Sequence, residues 1–296
     1  MSGISISVVR SNSTDEPMGT KPKFWFKDED GQRWLFKFAR PNTGEDWSEK
    51  VAAGVGRMLG VPCAHVELAV CGGRAGSVSR DFLLPGQTLI HGNELLHAAD
   101  ETYPHSKDYR ADAHTVCTVL TVLKSVAPPA AALSHPAMPT AADWFLGYLL
   151  LDALIGNTDR HHENWAVIET EGKQVLAPSY DHASCLGREV GDPERAARLR
   201  GPDRQRTVAG YCEKARSALF AAPGDRRPLS PLRAFESARA LRPEAGAQWL
   251  RSLRALDRSA IEALIDVIPV KRLSSDGALF AKRVVGLNLD SLLGLA

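Results

Sequence analysis

The sequence predicts an α+β fold of two lobes, β-rich from the N-terminus to about Leu89 and mostly helical beyond it. Alternating or clustered apolar and aromatic residues, the mark of half-buried strands, dominate before Leu89. Apolar residues at helical spacing dominate after it. A chain of 296 residues can bury a substantial core, which suits one two-lobed unit better than two independent domains. We therefore expect residues 1–90 to form an N-lobe and residues 91–296 a C-lobe.

The first element is the stretch Phe24 to Phe38, which reads as two β-rich runs joined by an acidic, Gly-containing turn. Two β-rich runs around such a turn predict a hairpin that carries Lys37 near its end. Asp46 to Gly60 follows, with Val51, Val55, Met58 and Leu59 at helical spacing and Gly60 and Pro62 to stop the helix. Ala64 to Val70 and Ser77 to Leu84 read as strands, and the lobe boundary is expected near Leu89 to Gly92.

Beyond the boundary, helices are expected at 112–126, 141–156, 231–241, 243–255, 258–267 and 276–292, with Pro128-Pro129 and Pro136 to Pro139 breaking the chain between the first two. Residues 188–227 carry nine arginines and Lys214 against six acids, laced with Gly and Pro, which reads as a mobile, locally basic insert. Such a stretch is either a solvated face or a recognition segment for an acidic surface or an RNA-bound substrate.

The most informative stretch is Leu151 to Asn164 followed by Tyr180-Asp181. Asp159 precedes Asn164 by five positions, the separation found in the catalytic loop of protein kinases. Between Asn164 and Asp181, two apolar runs flank Glu171-Gly172-Lys173, so a hairpin should return Asp181 to Asn164. Phosphoryl transfer asks for a carboxylate to accept the hydroxyl proton and for hard oxygens to hold Mg²⁺. Asp159 fits the first role, and Asn164 with Asp181 the second. An Asp-x-x-x-x-Asn pair alone is more often a pair of loop residues bonding local backbone; the apolar helix before it and the second Asp after it favour the catalytic reading.

The same chemistry needs a strand lysine for the nucleotide phosphates and a helix glutamate to orient it. Lys37 and Glu49, twelve residues apart, stand in the right order for those roles. No Gly-x-Gly-x-x-Gly or Gly-x-x-x-x-Gly-Lys-Ser/Thr motif precedes the first strand. The polar segment Ser11 to Lys23 is either a phosphate-facing loop, using Gly19 and Thr20 backbone groups with Lys21 or Lys23 as charges, or a flexible lead-in.

These residues resemble the HipA-like serine/threonine kinases, a bacterial family often found as the toxin of toxin–antitoxin modules. The resemblance rests on Gly19 to Phe26 with Glu45 to Lys50, on Asn157 to Asn164, and on Tyr180-Asp181, and spans from about residue 8 to the C-terminus. It implies a bilobal protein-kinase-like fold, use of Mg²⁺ and ATP, a protein substrate carrying Ser or Thr, and an antitoxin partner. It implies Asp159 as catalytic base, Asn164 and Asp181 as metal ligands and Lys37 as the ATP lysine, and makes Ser11 and Ser13 candidates for autophosphorylation. Two departures stand out: Asp181 is followed by His182-Ala183 rather than Phe-Gly, and His161 occupies the place where many protein kinases carry a lysine. The chain resembles the compact members of the family.

A net charge of +1 gives no global pull toward nucleic acid, and direct nucleic-acid binding is not expected. The longest apolar run, Trp144 to Ile155, is interrupted by Asp152 and too short to span a bilayer, so no membrane association is expected. Five scattered cysteines fit reduced thiols and a cytoplasmic location. The three histidines 161, 162 and 182 lack the spacing of a zinc site. Two other readings stay open: a small-molecule kinase of the aminoglycoside phosphotransferase type, although that loop usually has His where Asn157 stands, and a catalytically silent nucleotide-dependent binding module.

Overall fold

The computed structural model describes residues 14–15, 22–104, 111–130, 132, 136–201, 203 and 206–295. Five antiparallel strands, β1 (Thr14–Asp15), β2 (Lys23–Lys27), β3 (Arg33–Phe38), β4 (Val66–Cys71) and β5 (Arg74–Arg80), form one sheet in the order β1-β2-β3-β5-β4. Helix α1 (Glu45–Leu59) lies between β3 and β4 in sequence. The expected first hairpin is present, with Phe24 opposite Phe36, Trp25 opposite Leu35 and Lys23 opposite Lys37. Period-two alternation puts Phe24, Phe26, Phe36 and Phe38 on the buried face, where the Phe24 and Phe36 rings stack at 5.3 Å. The same alternation puts Lys23, Trp25, Leu35 and Lys37 on the other face.

Helix α1 starts with Glu45 and Asp46 in its first turn, which complement the positive end of the helix dipole, and stops at Gly60 in the left-handed conformation, φ 82°. Its apolar side, Trp47, Val51, Val55 and Leu59, is buried in the core of the helical lobe.

A second, three-stranded antiparallel sheet has the order β6-β7-β8, formed by β6 (Thr88–His91), β7 (Ala166–Thr170) and β8 (Lys173–Leu176). The Asn164-to-Asp181 hairpin is thus β7-β8, and its turn residues Glu171 and Gly172 both have positive φ, 50° and 75°. Two consecutive left-handed residues are what a two-residue hairpin turn needs to match the strand twist.

The helices are α2 (Gly92–Ala99), α3 (Val116–Leu123), α4 (Ala141–Ile155), α5 (Asp192–Arg200), α6 (Val208–Lys214), α7 (Pro231–Leu241), α8 (Pro243–Arg254), α9 (Arg258–Asp266) and α10 (Ser275–Leu293). The last four match expectation to within a residue or so. Helix α3 is shorter than the expected 112–126, and α2 was not anticipated. Every residue of α4 is buried. A helix apolar all round belongs in an interior, and α4 is the pillar on which α1, α3, α7, α8 and α10 pack. It opens with a reciprocal Thr140–Asp143 cap and closes at Gly156, φ 67°.

The described residues of the basic stretch 188–227 include two helices, α5 and α6, and Val190 and Val208 pack with Phe280 and Val284 of α10. Five of the described arginines in this stretch make ion pairs: Arg188 with Glu45, Arg195 with Asp192, Arg198 and Arg206 with Glu194, and Arg200 with Asp276. Among the described residues no helix is long and apolar enough to cross a membrane.

Candidate active site

A cavity of about 440 Å³ lies between the five-stranded sheet and the loops that follow α4 and β8. Its roof is the cleft-facing side of the first hairpin, with Lys23 and Lys37 side by side on adjacent strands. Its floor holds Asp159, Asn164 and Asp181. Phe82, Leu83 and Leu89, from the connection between β5 and β6 and from β6 itself, make one end apolar. Gly19, Thr20, Lys21, Ser11 and Ser13 lie outside the described residues.

The loop after α4 is held rigidly. Asp152, the carboxylate in the apolar helix, is buried and receives Arg160 Nε at 2.7 Å and a second guanidinium nitrogen at 2.8 Å. Asn157 Nδ2 adds a third donor at 2.8 Å. Burial, which disfavours the charge, is outweighed by Asp152, so the Arg160 guanidinium is held above its usual range. Arg160 then reaches across the loop to the Asn164 carbonyl at 2.7 Å, and Asn164 Nδ2 donates to the Asp159 carbonyl at 2.6 Å. Asp159 itself has a half-exposed side chain, one oxygen of which accepts from Ser184 Oγ at 3.2 Å.

Asp181 arrives from the β7-β8 hairpin, as its spacing implied. It sits in the left-handed region, φ 57°, which Asp tolerates better than most non-Gly residues. Its carboxylate is 3.0 Å from Lys37 Nζ. Tyr180, just before it, anchors the turn by donating to the Glu163 carbonyl at 2.8 Å.

Glu49 is buried in α1 with one oxygen 3.4 Å from His182 Nδ1. It shares with Lys37 the lining of a void of about 10 Å³, room for about one water. Burial pushes the Glu49 carboxyl up, but the His182 ring and the charge of Lys37 outweigh it and hold it below the usual carboxylate range. The departure His182 after Asp181 therefore has a structural meaning: it is the ring that faces the α1 glutamate.

His161 lines the cavity beside Asp159, and burial lowers it to about 4, so it is neutral near pH 7. His162 is buried against Tyr103 OH at 2.8 Å, and His182 Nε2 lies 2.7 Å from Ser179 Oγ. The three histidines thus have separate partners, and among the described residues no group of three or more His, Cys, Asp or Glu is arranged to hold a metal. Burial pushes the Cys185 thiol well up.

The cavity brings together Asp159, Asn164, Asp181, Lys37 and Lys23; Glu49 stands behind Lys37. Reading the sequence missed Asp152, Arg160, Ser184 and Arg188. Asp152 carried a signal, since a carboxylate in a helix apolar all round needs a buried cation.

A comparison with curated proteins finds no match. Among solved structures, the proinflammatory kinase CtkA of Helicobacter pylori superposes with a TM-score of 0.74 at 17% identity over 98% of both chains. HipA of Shewanella oneidensis MR-1, solved in a toxin–antitoxin complex with HipB and operator DNA, superposes with a TM-score of 0.58 at 16% identity over 94% of this chain and 64% of that one. These likenesses establish the bilobal, kinase-like α+β fold. The model of the HipA-like C-terminal domain matches residues 16–249, which includes Lys37, Asp159, Asn164 and Asp181, and the chain therefore belongs to that family.

Proposed function

We propose that this chain is an ATP- and Mg²⁺-dependent kinase of the HipA type that phosphorylates serine or threonine in a protein. The observation that carries this reading is the convergence of Asp159, Asn164, Asp181 and Lys37 on one cleft, with Lys37 3.0 Å from Asp181. Family membership supports it. The division of labour follows the two lobes, residues 1–90 supplying the nucleotide lysine and residues 91–296 the catalytic loop and metal ligands.

The residues present fit a nucleotide with its metal. The apolar end formed by Phe82, Leu83 and Leu89 suits a base, and the paired Lys23 and Lys37 suit phosphates. Asn164, whose amide nitrogen is already engaged, and Asp181 would hold Mg²⁺, which supplies neutralisation of phosphate charge. Asp159 accepts the proton of the attacking hydroxyl. Lys37 adds positive charge beside Asp181, and the buried Arg160 keeps Asp159 and Asn164 in register. Neutral His161 adds no positive charge beside the base.

A half-exposed Asp159 can meet a hydroxyl carried on another macromolecule, which supports a protein acceptor. A toxin or effector role, an antitoxin partner, autophosphorylation at Ser11 or Ser13 and a cytoplasmic site of action complete the reading. The HipA relative solved with HipB supports the antitoxin partner. That structure also contains operator DNA, so it lends no support to the expectation that this chain makes no contact with nucleic acid.

The test is intact-mass and phosphopeptide analysis of wild type and Asp159→Ala after incubation with Mg-ATP, alone and in a cell lysate. Phosphate on serine or threonine with wild type only is the expected result. Phosphate on small alcohols but not protein would favour a small-molecule kinase. ATP binding without transfer to any acceptor would favour a silent binding module.

A further inference from the structure

Resting on the phosphotransfer reading above, we propose that Ser184, locked by Arg188, is the positioning residue that fixes the orientation of the Asp159 carboxylate. Ser184 lies 25 residues beyond Asp159, so their contact at 3.2 Å is made by the fold and not by a local turn. A serine hydroxyl has one proton to give. Arg188, which can only donate, gives a guanidinium N–H to Ser184 Oγ at 3.0 Å and so occupies a lone pair of that oxygen. The hydroxyl proton is thereby directed to Asp159 Oδ2.

Arg188 is itself fixed. A second guanidinium nitrogen donates to Glu45 Oε1 at 2.8 Å, and its backbone carbonyl accepts from Gly44 N at 2.8 Å. Glu45 is buried at the start of α1 and also accepts from Arg40 N at 3.1 Å. The Ser184 backbone makes the opposite tie: its carbonyl accepts from Thr158 N at 3.1 Å and from Thr158 Oγ1 at 3.3 Å, directly before Asp159. One residue thus holds the catalytic loop by its backbone and the catalytic carboxylate by its side chain. The run Glu45, Arg188, Ser184, Asp159 connects the first turn of α1 to the base.

A misdirected base lowers the rate of the chemical step without loosening the nucleotide, because none of these contacts involves Lys37, Asn164 or Asp181. The experiment is steady-state transfer from γ-labelled Mg-ATP to dephosphorylated casein, and to water, by wild type, Ser184→Ala, Ser184→Thr and Arg188→Met. Thermal denaturation establishes that each variant is folded. Ser184→Ala should lower kcat by about 100-fold with KM for Mg-ATP unchanged. Ser184→Thr, which keeps the hydroxyl, should restore most of kcat, and Arg188→Met, whose side chain also lines the cleft, should lower kcat as Ser184→Ala does.

Wild-type kcat in Ser184→Ala, a loss expressed in KM for Mg-ATP, or no rescue by threonine would each overturn the assignment. Phosphate found on Ser184 itself would make that hydroxyl an acceptor and overturn it too. A wild type that transfers phosphate to no acceptor, the proteins of a cell lysate and small alcohols included, would instead overturn the phosphotransfer reading, and this assignment with it.

Discussion

Arg160 and Asp152 form an almost fully buried, two-pronged ion pair, at 2.7 and 2.8 Å, that ties the candidate catalytic loop to the central helix α4. Removing one partner strands a buried charge, which costs more than the pair contributes. Arg160→Met should therefore lower stability by about 3–5 kcal/mol in urea denaturation, and Asp152→Leu with Arg160→Met should recover most of it. Both variants should lose phosphotransfer, because Arg160 also holds the Asn164 carbonyl.

Lys37 and Asp181 should respond to substitution differently. Losing a charged hydrogen-bond donor to phosphate costs about 1.5–3 kcal/mol. Lys37→Met should accordingly weaken Mg-ATP binding by roughly 10- to 100-fold in calorimetry. Chelating Mg²⁺ with EDTA should weaken nucleotide binding to wild type, and should do so less in Asp181→Asn, where Asn164 remains. A Mg²⁺ response undiminished in Asp181→Asn would remove this residue from the metal site.

Gly76 on β5 sits against the backbone of β3. A Cβ there would lie 2.3 Å from the Lys37 carbonyl oxygen and 2.8 Å from the Phe36 ring, so the strand that carries Lys37 would have to move. Gly76→Ala should lose about 1–3 kcal/mol of stability. It should also weaken Mg-ATP binding, although residue 76 contributes no group to the cleft. Unchanged nucleotide affinity would mean that the strand yields without displacing the lysine.

Acid should destabilise the fold through His114. Burial lowers this residue to about 3, and its geometry agrees: Nδ1 donates to the Ala218 carbonyl at 2.9 Å while Nε2 accepts from Trp165 Nε1 at 3.1 Å. A second ring proton would face the indole N–H. The unfolded chain binds that proton below about pH 6.5 and the folded chain does not until far lower pH. Stability is therefore full above pH 6.5 and should fall by about 1.4 kcal/mol per pH unit from this group as pH drops toward 3. Denaturant midpoints at successive pH values should show the slope, and His114→Phe should reduce it.

Local patterns were legible. The Asp159-to-Asn164 spacing, the alternation that places Lys37 on the cleft face and the Glu171-Gly172 turn that returns Asp181 are each written within a few residues. The Arg188 bridge was not legible, because it exists only where three distant segments meet. Glu49 illustrates the limit: its helix and its order in the chain could be read, but not the His182 ring that faces it. Helices α5 and α6 were hidden by charge. A run of arginines resembles a solvated loop until its partners, such as Asp276 on α10, are brought beside it.

Helix α1 buries Trp47, Val51 and Val55 in the same core as α4 and α9, and Ser48 Oγ donates to the Ala183 carbonyl at 2.7 Å. In protein kinases, activity is commonly controlled by the placement of the helix that carries the glutamate. Swinging α1 outward here would bare those side chains at about 25 cal/mol per Å² of apolar surface and release the segment after Asp181. Displacing α1 would thus have to offset the loss of that buried surface, and packing couples the position of the helix to the segment after Asp181.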